Sequence, residues 1–423
     1  MRSEPPAHPR MQSALSPLKP VNAAPPLAHR RPHPPQYRQQ PSTMRRTPAL
    51  QLPLEIQQAI FNYLDRSALL RCMLTHRAWI ASAQYALYSH AQPASPAALW
   101  KLTKTLETSP HLRKNVIELS ISGDTLRCGV RPTDPILQIP APTLLPNLRS
   151  LRFTGFDEVF RSSKSIAHVG GYLDVTELHL HRCRVLAPVH LEQLLYSFPR
   201  LTTLTLDSVR WAGDNEPYKV TFGQLPERAL QLRTLRISNP YEYAPFFQWL
   251  IHSKCAVRVR HLELIRFDVY NLRPAGKFVT ELCEPLESLT LGYNLPTYCD
   301  HGERRIDLRM NNKLRSLTLQ IYDCQGDYVR WANTLLLSAL ESPLERIAFS
   351  LTLDSRQTLW NDAWSTLHAS LTTYWPATLK EVAFTHYAVP GFLQNVEPLF
   401  QERFVELKRR RILSVTVVRS QDY

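Results

Sequence analysis

The feature that most constrains this chain of 423 residues is a short apolar template that returns along its length. It reads apolar-x-x-apolar-x-apolar, at Val116/Leu119/Ile121, Leu148/Leu151/Phe153, Val175/Leu178/Leu180 and Leu201/Leu204/Leu206. It continues at Leu232/Leu235/Ile237, Val259/Leu262/Leu264, Leu286/Leu289/Leu291 and Leu314/Leu317/Leu319. Looser copies follow at Leu344/Ile347/Phe349, Leu379/Val382/Phe384 and Ile412/Val415/Val417. A single fit means little, because roughly one window in thirty meets the template by chance. Two facts give the series weight. The central residue is Leu in all of the first eight copies, and successive copies stand 26 to 35 residues apart. Helical-period stretches occupy intervals at 189–198, 244–252 and 327–340. A short strand and a helix in each interval predict an α/β solenoid of about eleven curved repeats, each burying its face against its neighbours.

Composition narrows the alternatives. Only 12 residues are glycine, far fewer than the roughly 7% of ordinary usage. Dinucleotide folds and phosphate-cradling loops need residues without a Cβ and are disfavoured. No apolar run approaches the ~20 residues that span a bilayer, so a soluble protein is expected. The seven cysteines, at 72, 128, 183, 255, 283, 299 and 324, are scattered and odd in number. With no hydrophobic leader they read as reduced thiols of the cytoplasm or nucleus. Cys283, Cys299 and His301 lack the paired spacing of a zinc set, and no metal or cofactor is expected.

The formal charge of +14 is unevenly placed. Residues 1–47 hold eight basic residues and one acidic residue, so half of the excess lies there. Prolines at 5, 6, 9, 17 and 20 exclude an amphipathic helix, and this Pro/Arg-rich tail is expected to be disordered. The remaining excess is diffuse, whereas nucleic-acid binding calls for a basic stripe. Neither a nucleic-acid nor a membrane partner is expected.

Residues 48–92 have a different character. Pro53 suits the start of a helix. Ile56, Ile60, Phe61 and Leu64 then fall on one helical face. Asp65 or Ser67 suits the cap of a second helix carrying Leu69, Leu70, Met73 and Leu74. Trp79, Ala83 and Leu87 mark a third. So short a segment cannot bury this much apolar surface by itself.

The repeat resembles the leucine-rich repeat, L-x-x-L-x-L-x-x-N/C-x-L. Cys183 and Asn294 meet its Asn/Cys position, where Phe156, Val209, Phe267 and Tyr322 stand in other copies. The preceding segment resembles an F-box through Leu52-Pro53, Glu55-Ile56, Ile60-Phe61, Leu64, Leu69-Leu70, Cys72, Trp79 and Leu87-Tyr88. The Val-Cys pair common before the Trp is replaced by the run Leu74-Thr75-His76-Arg77-Ala78. Together the patterns resemble an F-box/leucine-rich-repeat protein, a substrate receptor of SCF-type cullin–RING ubiquitin ligases. The resemblance implies a tail (1–47), an F-box-like motif (48–92) and a leucine-rich-repeat solenoid (93–423). It also implies docking on a Skp-type adaptor by Leu52, Pro53, Ile56, Ile60, Phe61, Leu64, Leu69, Leu70 and Trp79. The competing reading is a binding scaffold with no ligase role, in which the helices cap the first repeat.

In a stacked array the residues alternating with the buried leucines line the concave face. They are Ser/Thr-rich and mixed in sign, which suits a protein target. Arg152, His179, His181, Asp207, Arg236 and Glu263 lie on this face, and Trp211, Tyr241 and Tyr293 follow its strands as aromatic anchors. Arg152 and Arg236 are suited to accept a phosphate. The basic run Lys408-Arg409-Arg410-Arg411 suits a helix end just before the last strand. No G-x-S-x-G, H-E-x-x-H or Walker loop is present, so a non-catalytic protein is expected.

Overall fold

The leucines of the template are buried by strands that pair in chain order. In the computed structural model these begin with β1 (His90–Ala91), β2 (Glu118–Ser122), β3 (Ser150–Thr154) and β4 (Glu177–His181). After the short β5 (Arg184–Val185) come β6 (Thr203–Asp207), β7 (Arg210–Trp211), β8 (Thr234–Ser238) and β9 (His261–Phe267). The chain ends through β10 (Ser288–Tyr293), β11 (Ser316–Ile321), β12 (Arg346–Leu351), β13 (Glu381–Ala388) and β14 (Leu413–Arg419). The structure describes residues 52–123, 135–157, 160, 162–185, 188–211, 230–241, 243–253, 258–267, 269–283, 285–293, 306–321, 326–353, 357–375, 378–388 and 395–419. The tail 1–47, and Cys299, His301, Asn294 and Tyr322, lie outside them.

Among the described residues twelve strands form one parallel sheet, ordered from β1 to β14 without β5 and β7, which pair with each other. The sheet is open, with β1 and β14 at its edges. Register is carried by the template itself. Leu151 stands opposite Leu119 and Leu178, and Leu289 stands opposite Leu262 and Leu317. Equivalent leucines therefore stack into rows spaced by the ~4.8 Å separation of neighbouring strands.

Helices return the chain between strands. They include Ser163–Gly170, Pro188–Ser197, Ala244–His252, Val269–Glu281, Gly326–Ser338 and Asp362–Thr373. Polar side chains start several of them: Ser162 accepts the Ser165 N–H, and Asn361 accepts that of Trp364. Between β2 and β3 the described residues include short 3₁₀ turns at Pro135–Gln138 and Pro142–Leu144. No helix of the described residues is long and apolar enough to cross a membrane.

Where an Asn/Cys ladder would stand, the interior is apolar and in part aromatic. Phe156, Cys183, Val209 and Phe267 all point inward and are buried. Phe153 packs edge-on against Phe156 and Phe160, while Phe384 stacks between Phe349 and Phe400 at 5.0 and 4.5 Å. The last helix, Val405–Arg409, carries Lys408 and Arg409 in its final turn, where cations suit the helix dipole.

Leu52–Tyr423 is one compact unit with two hydrophobic cores. The large one follows the sheet from Ala91 to Leu407. The small one lies within the N-terminal helices α1 (Leu54–Phe61), α2 (Arg66–Thr75) and α3 (Ile80–Ser89). α3 runs directly into β1, which pairs with β2.

Candidate functional site

The N-terminal helices form the first candidate surface. Pro53 lies one residue before α1, whose first turn it sets by accepting the Gln57 N–H (3.1 Å). Asp65 caps α2 by accepting the Ala68 N–H (2.7 Å), which with the Ser67 hydroxyl holds its carboxyl below the ordinary range. His76 Nδ1 accepts the Ala78 N–H and starts a 3₁₀ turn through Trp79. Gln57 is buried between helices, donating to the Leu52 carbonyl (2.8 Å) and accepting from Ser82 (3.2 Å).

The residues singled out for adaptor docking divide into two sets. Phe61 (5% exposed) and Leu69 (4%) are buried with Ala83 in the small core. Leu64 and Trp79 pack partly buried against it, Trp79 edge-on to Phe61 at 6.2 Å. Phe61 and Leu69 therefore hold the helices together and offer no contact surface, because three crossing helices need an interior of their own. Leu52, Pro53, Ile56, Ile60 and Leu70 are exposed. So are three residues outside that set: Leu54, Tyr63 (92%) and Leu74 (88%). Ile56 and Ile60 share one face of α1, with Tyr63 in the turn just beyond it, and Leu70 and Leu74 share one face of α2 by the i, i+4 rule. That spacing was visible in the sequence; which apolar residue turns outward was not.

The second surface is the sheet face opposite the buried leucines, where alternating residues are half-buried or exposed. Its charges are paired, across strands for Glu118 and Arg236 and within β4 for His179. Glu118 lies 2.9 Å from His90 Nδ1 and 3.7 Å from Arg152. His179 lies 3.5 Å from Glu177 and Arg236 3.3 Å from Glu263. Burial, then Arg152, pushes the His179 pKa down. Arg152 and Arg236 thus already face carboxylates, and a phosphate would have to compete with Glu118 and Glu263 for them.

Asp207 is the hub of this face. Its Oδ2 stands 2.7 Å from His181 Nδ1, and its Oδ1 accepts from the Ser208 hydroxyl (3.1 Å) and Asn239 Nδ2 (2.9 Å). Three adjacent strands are thereby tied at their C-terminal ends. The backbone there repeats a left-handed turn, at Gly155, Arg182, Ser208, Asn239 and Arg266, with φ between 49° and 67°. Only one of the five is glycine, and a non-glycine residue held so costs ~1–3 kcal/mol. The turns place Gly155, Arg182, Ser208 and Asn239 N–H groups on carbonyls of the next strand end, at 2.8 to 3.0 Å. Asp207, Asn239 and Arg266 border a groove of about 550 Å³ that continues past Gln320 and Thr352 to Tyr387.

The aromatic anchors read from the sequence fare differently. Trp211 is buried (4%) and packs on Tyr243 and Phe246 at 5.6 and 6.4 Å. It is therefore a core residue and no contact for a target. Tyr241 is exposed. Tyr293 ends β10 opposite Phe267, and its side chain lies outside the described residues. His179, His181 and Asp207 do not converge on a metal geometry, and no group of three or more His, Cys, Asp or Glu does so among the described residues.

Comparison with known families adds one finding. The family described as F-box-like matches residues 49–90, the segment that forms α1 to α3. The chain therefore carries an F-box-like domain, a type that binds Skp-type adaptors, ahead of an α/β region with a large parallel sheet. No curated protein matches the chain.

Proposed function

We propose that this protein is the substrate-recognition subunit of an SCF-type ubiquitin ligase. α1 and α2 dock on the Skp-type adaptor, which links the chain to a cullin–RING ligase. The strand–helix array is a leucine-rich-repeat solenoid whose strand ends, around Asp207 and the groove beside it, hold a protein target. The chain performs no chemistry. Transfer of ubiquitin belongs to the recruited conjugating enzyme, favoured by proximity. The setting is the cytoplasm or nucleus.

One observation carries the proposal: the segment matching the F-box-like family exposes Ile56, Ile60, Tyr63, Leu70 and Leu74 while keeping a core of its own. So many large apolar side chains exposed within one short segment are a liability unless a partner covers them, and a helical groove is the fitting cover. The competing reading, a cap without ligase function, draws on the continuity of α3 with β1 and its pairing with β2. A pure cap, however, presents a polar outer face. Co-purification with a Skp-type adaptor separates the two. The intact chain is expected to retain the adaptor, and the exposed-face variant Ile56→Asp/Ile60→Asp to lose it while keeping its circular dichroism spectrum. An intact, folded chain that does not bind the adaptor makes the helices a cap.

A further inference from the structure

A second groove, of about 560 Å³, lies at the opposite end of the strands, among the turns that lead into β8, β9, β10 and β11. Arg233, Arg258, Arg260 and Lys313 line it, against Glu281 and Glu287. The residue just before each strand forms a row across the sheet. Backbone bonds fix that row: the Arg260 N–H donates to the Arg233 carbonyl (2.8 Å) and the Glu287 N–H to that of Arg260 (2.9 Å).

Along most of its C-terminal half this row alternates in sign and satisfies itself. Arg260 pairs with Glu287 at 3.2 Å, and Glu345 pairs with both Arg315 and Lys380. The alternation fails at Arg233. Its neighbours in the row are Thr202 and Arg260, so two guanidinium-bearing residues occupy adjacent rungs ~4.8 Å apart. Like charges so placed oppose the pairing of their strands. Arg258 adds a third cation, held by Gln231 rather than by a carboxylate. The side chain of Arg233 has no carboxylate partner among the described residues. At the end of the adjoining helix Val269–Glu281 the buried Asn311 amide already occupies the carbonyl of Val279, in its last turn, and that of Cys283 just beyond it, both at 3.2 Å.

We propose that this groove binds a phosphoryl group, with Arg233 and Arg258 as its principal ligands and Arg260 and Lys313 at its flanks. Guanidinium groups bind tetrahedral oxyanions through paired N–H donors. Glu287 is already neutralised by Arg260, which leaves Glu281, among the described residues, as the carboxylate that opposes the ligand. The site is separate from α1 to α3, so it stands whether or not the adaptor reading does.

The test is calorimetric titration of the full chain with inorganic phosphate, pyrophosphate, and a phosphoserine peptide of otherwise neutral sequence beside its unphosphorylated form. Saturable binding of the phosphorylated probes is expected, falling at least tenfold in Arg233→Gln/Arg258→Gln and unchanged in Arg330→Gln. Arg330 pairs with Asp327 on an exposed helix face and lies outside the groove. Both substituted arginines are exposed, so the fold should survive, and unfolding midpoints check that. Tighter binding of the peptide than of the free anions points to a phosphorylated protein, and the reverse to a small phosphate ester. No saturable binding of any probe, or equal binding by the double variant, overturns the proposal.

Discussion

The Ser82 hydroxyl donates to Oε1 of Gln57 at 3.2 Å, across 25 residues of sequence. The same Gln57 amide donates to the Leu52 carbonyl, so one buried side chain fixes the start of α1 against α3. Leu52, Ile56 and Ile60 are turned outward as a consequence. Replacing Gln57 by Ala removes both bonds and leaves Ser82 unpaired, at ~1 kcal/mol or somewhat more. The expected outcome is a five- to tenfold loss of adaptor affinity with little change in global stability. Unchanged affinity would show that the bridge does not set the docking face.

Phe384 stands at the centre of the C-terminal core, within 5.0 Å of the rings of Phe349, Phe400 and Phe404. Phe384→Ala is expected to cost about 3–5 kcal/mol. Because each strand of the sheet pairs only with its neighbours in order, the loss should appear as early unfolding of the C-terminal strands, with the N-terminal ones unaffected. Urea unfolding followed by hydrogen exchange checks both parts. A loss below ~1 kcal/mol would contradict this packing.

Stability should depend on pH through two histidines. Burial and then Arg152 lower the His179 pKa, and burial and then Arg403 lower that of His368, from 6.5. The unfolded chain therefore binds more protons just below 6.5, so their contribution is complete above that value and declines as pH falls through it. Urea midpoints should drop between pH 7.5 and 5.5, and less steeply in His179→Gln/His368→Gln. The lowered carboxylates Asp65, Asp307 and Glu345 act only further down, below 4.5. A midpoint flat across this window in the parent chain would contradict the assignment.

The pattern of the sheet was open to sequence reasoning because burial in a parallel strand depends on side-chain identity at fixed offsets. The central leucines, from Leu119 to Leu317, lie in strands and are buried. The helix over 244–252 likewise falls at Ala244–His252. What was hidden depends on partners distant in sequence. Phe61 and Leu69 carry the same apolar signal as Ile60 and Leu70, and only the crossing of three helices decides which pair is buried. Trp211 follows a strand as an anchor would, but Tyr243 and Phe246 close over it. Arg152 and Arg236 looked free because Glu118 and Glu263 lie on neighbouring strands. Arg233 and Arg258 drew no notice, since their meaning lies in the row that register creates.

Thiol reactivity offers a check on the interior. Cys183 replaces a ladder residue, donates to the Phe153 and His181 carbonyls at 3.4 Å, and is driven by burial to a pKa of about 11. Cys72 and Cys283 are partly exposed. Alkylation at pH 8 followed by mass spectrometry should modify Cys72 and Cys283 at least a hundredfold faster than Cys183 in the folded chain. Comparable rates would place Cys183 outside the core.

The central claim is that α1 and α2 are a docking surface. Hydrogen exchange of the full chain with and without a Skp-type adaptor tests it most directly. Slowed exchange across 54–76 is expected on binding, and neither binding nor slowing for Ile56→Asp/Ile60→Asp. An adaptor that does not bind, or one whose binding leaves 54–76 unprotected, would contradict it.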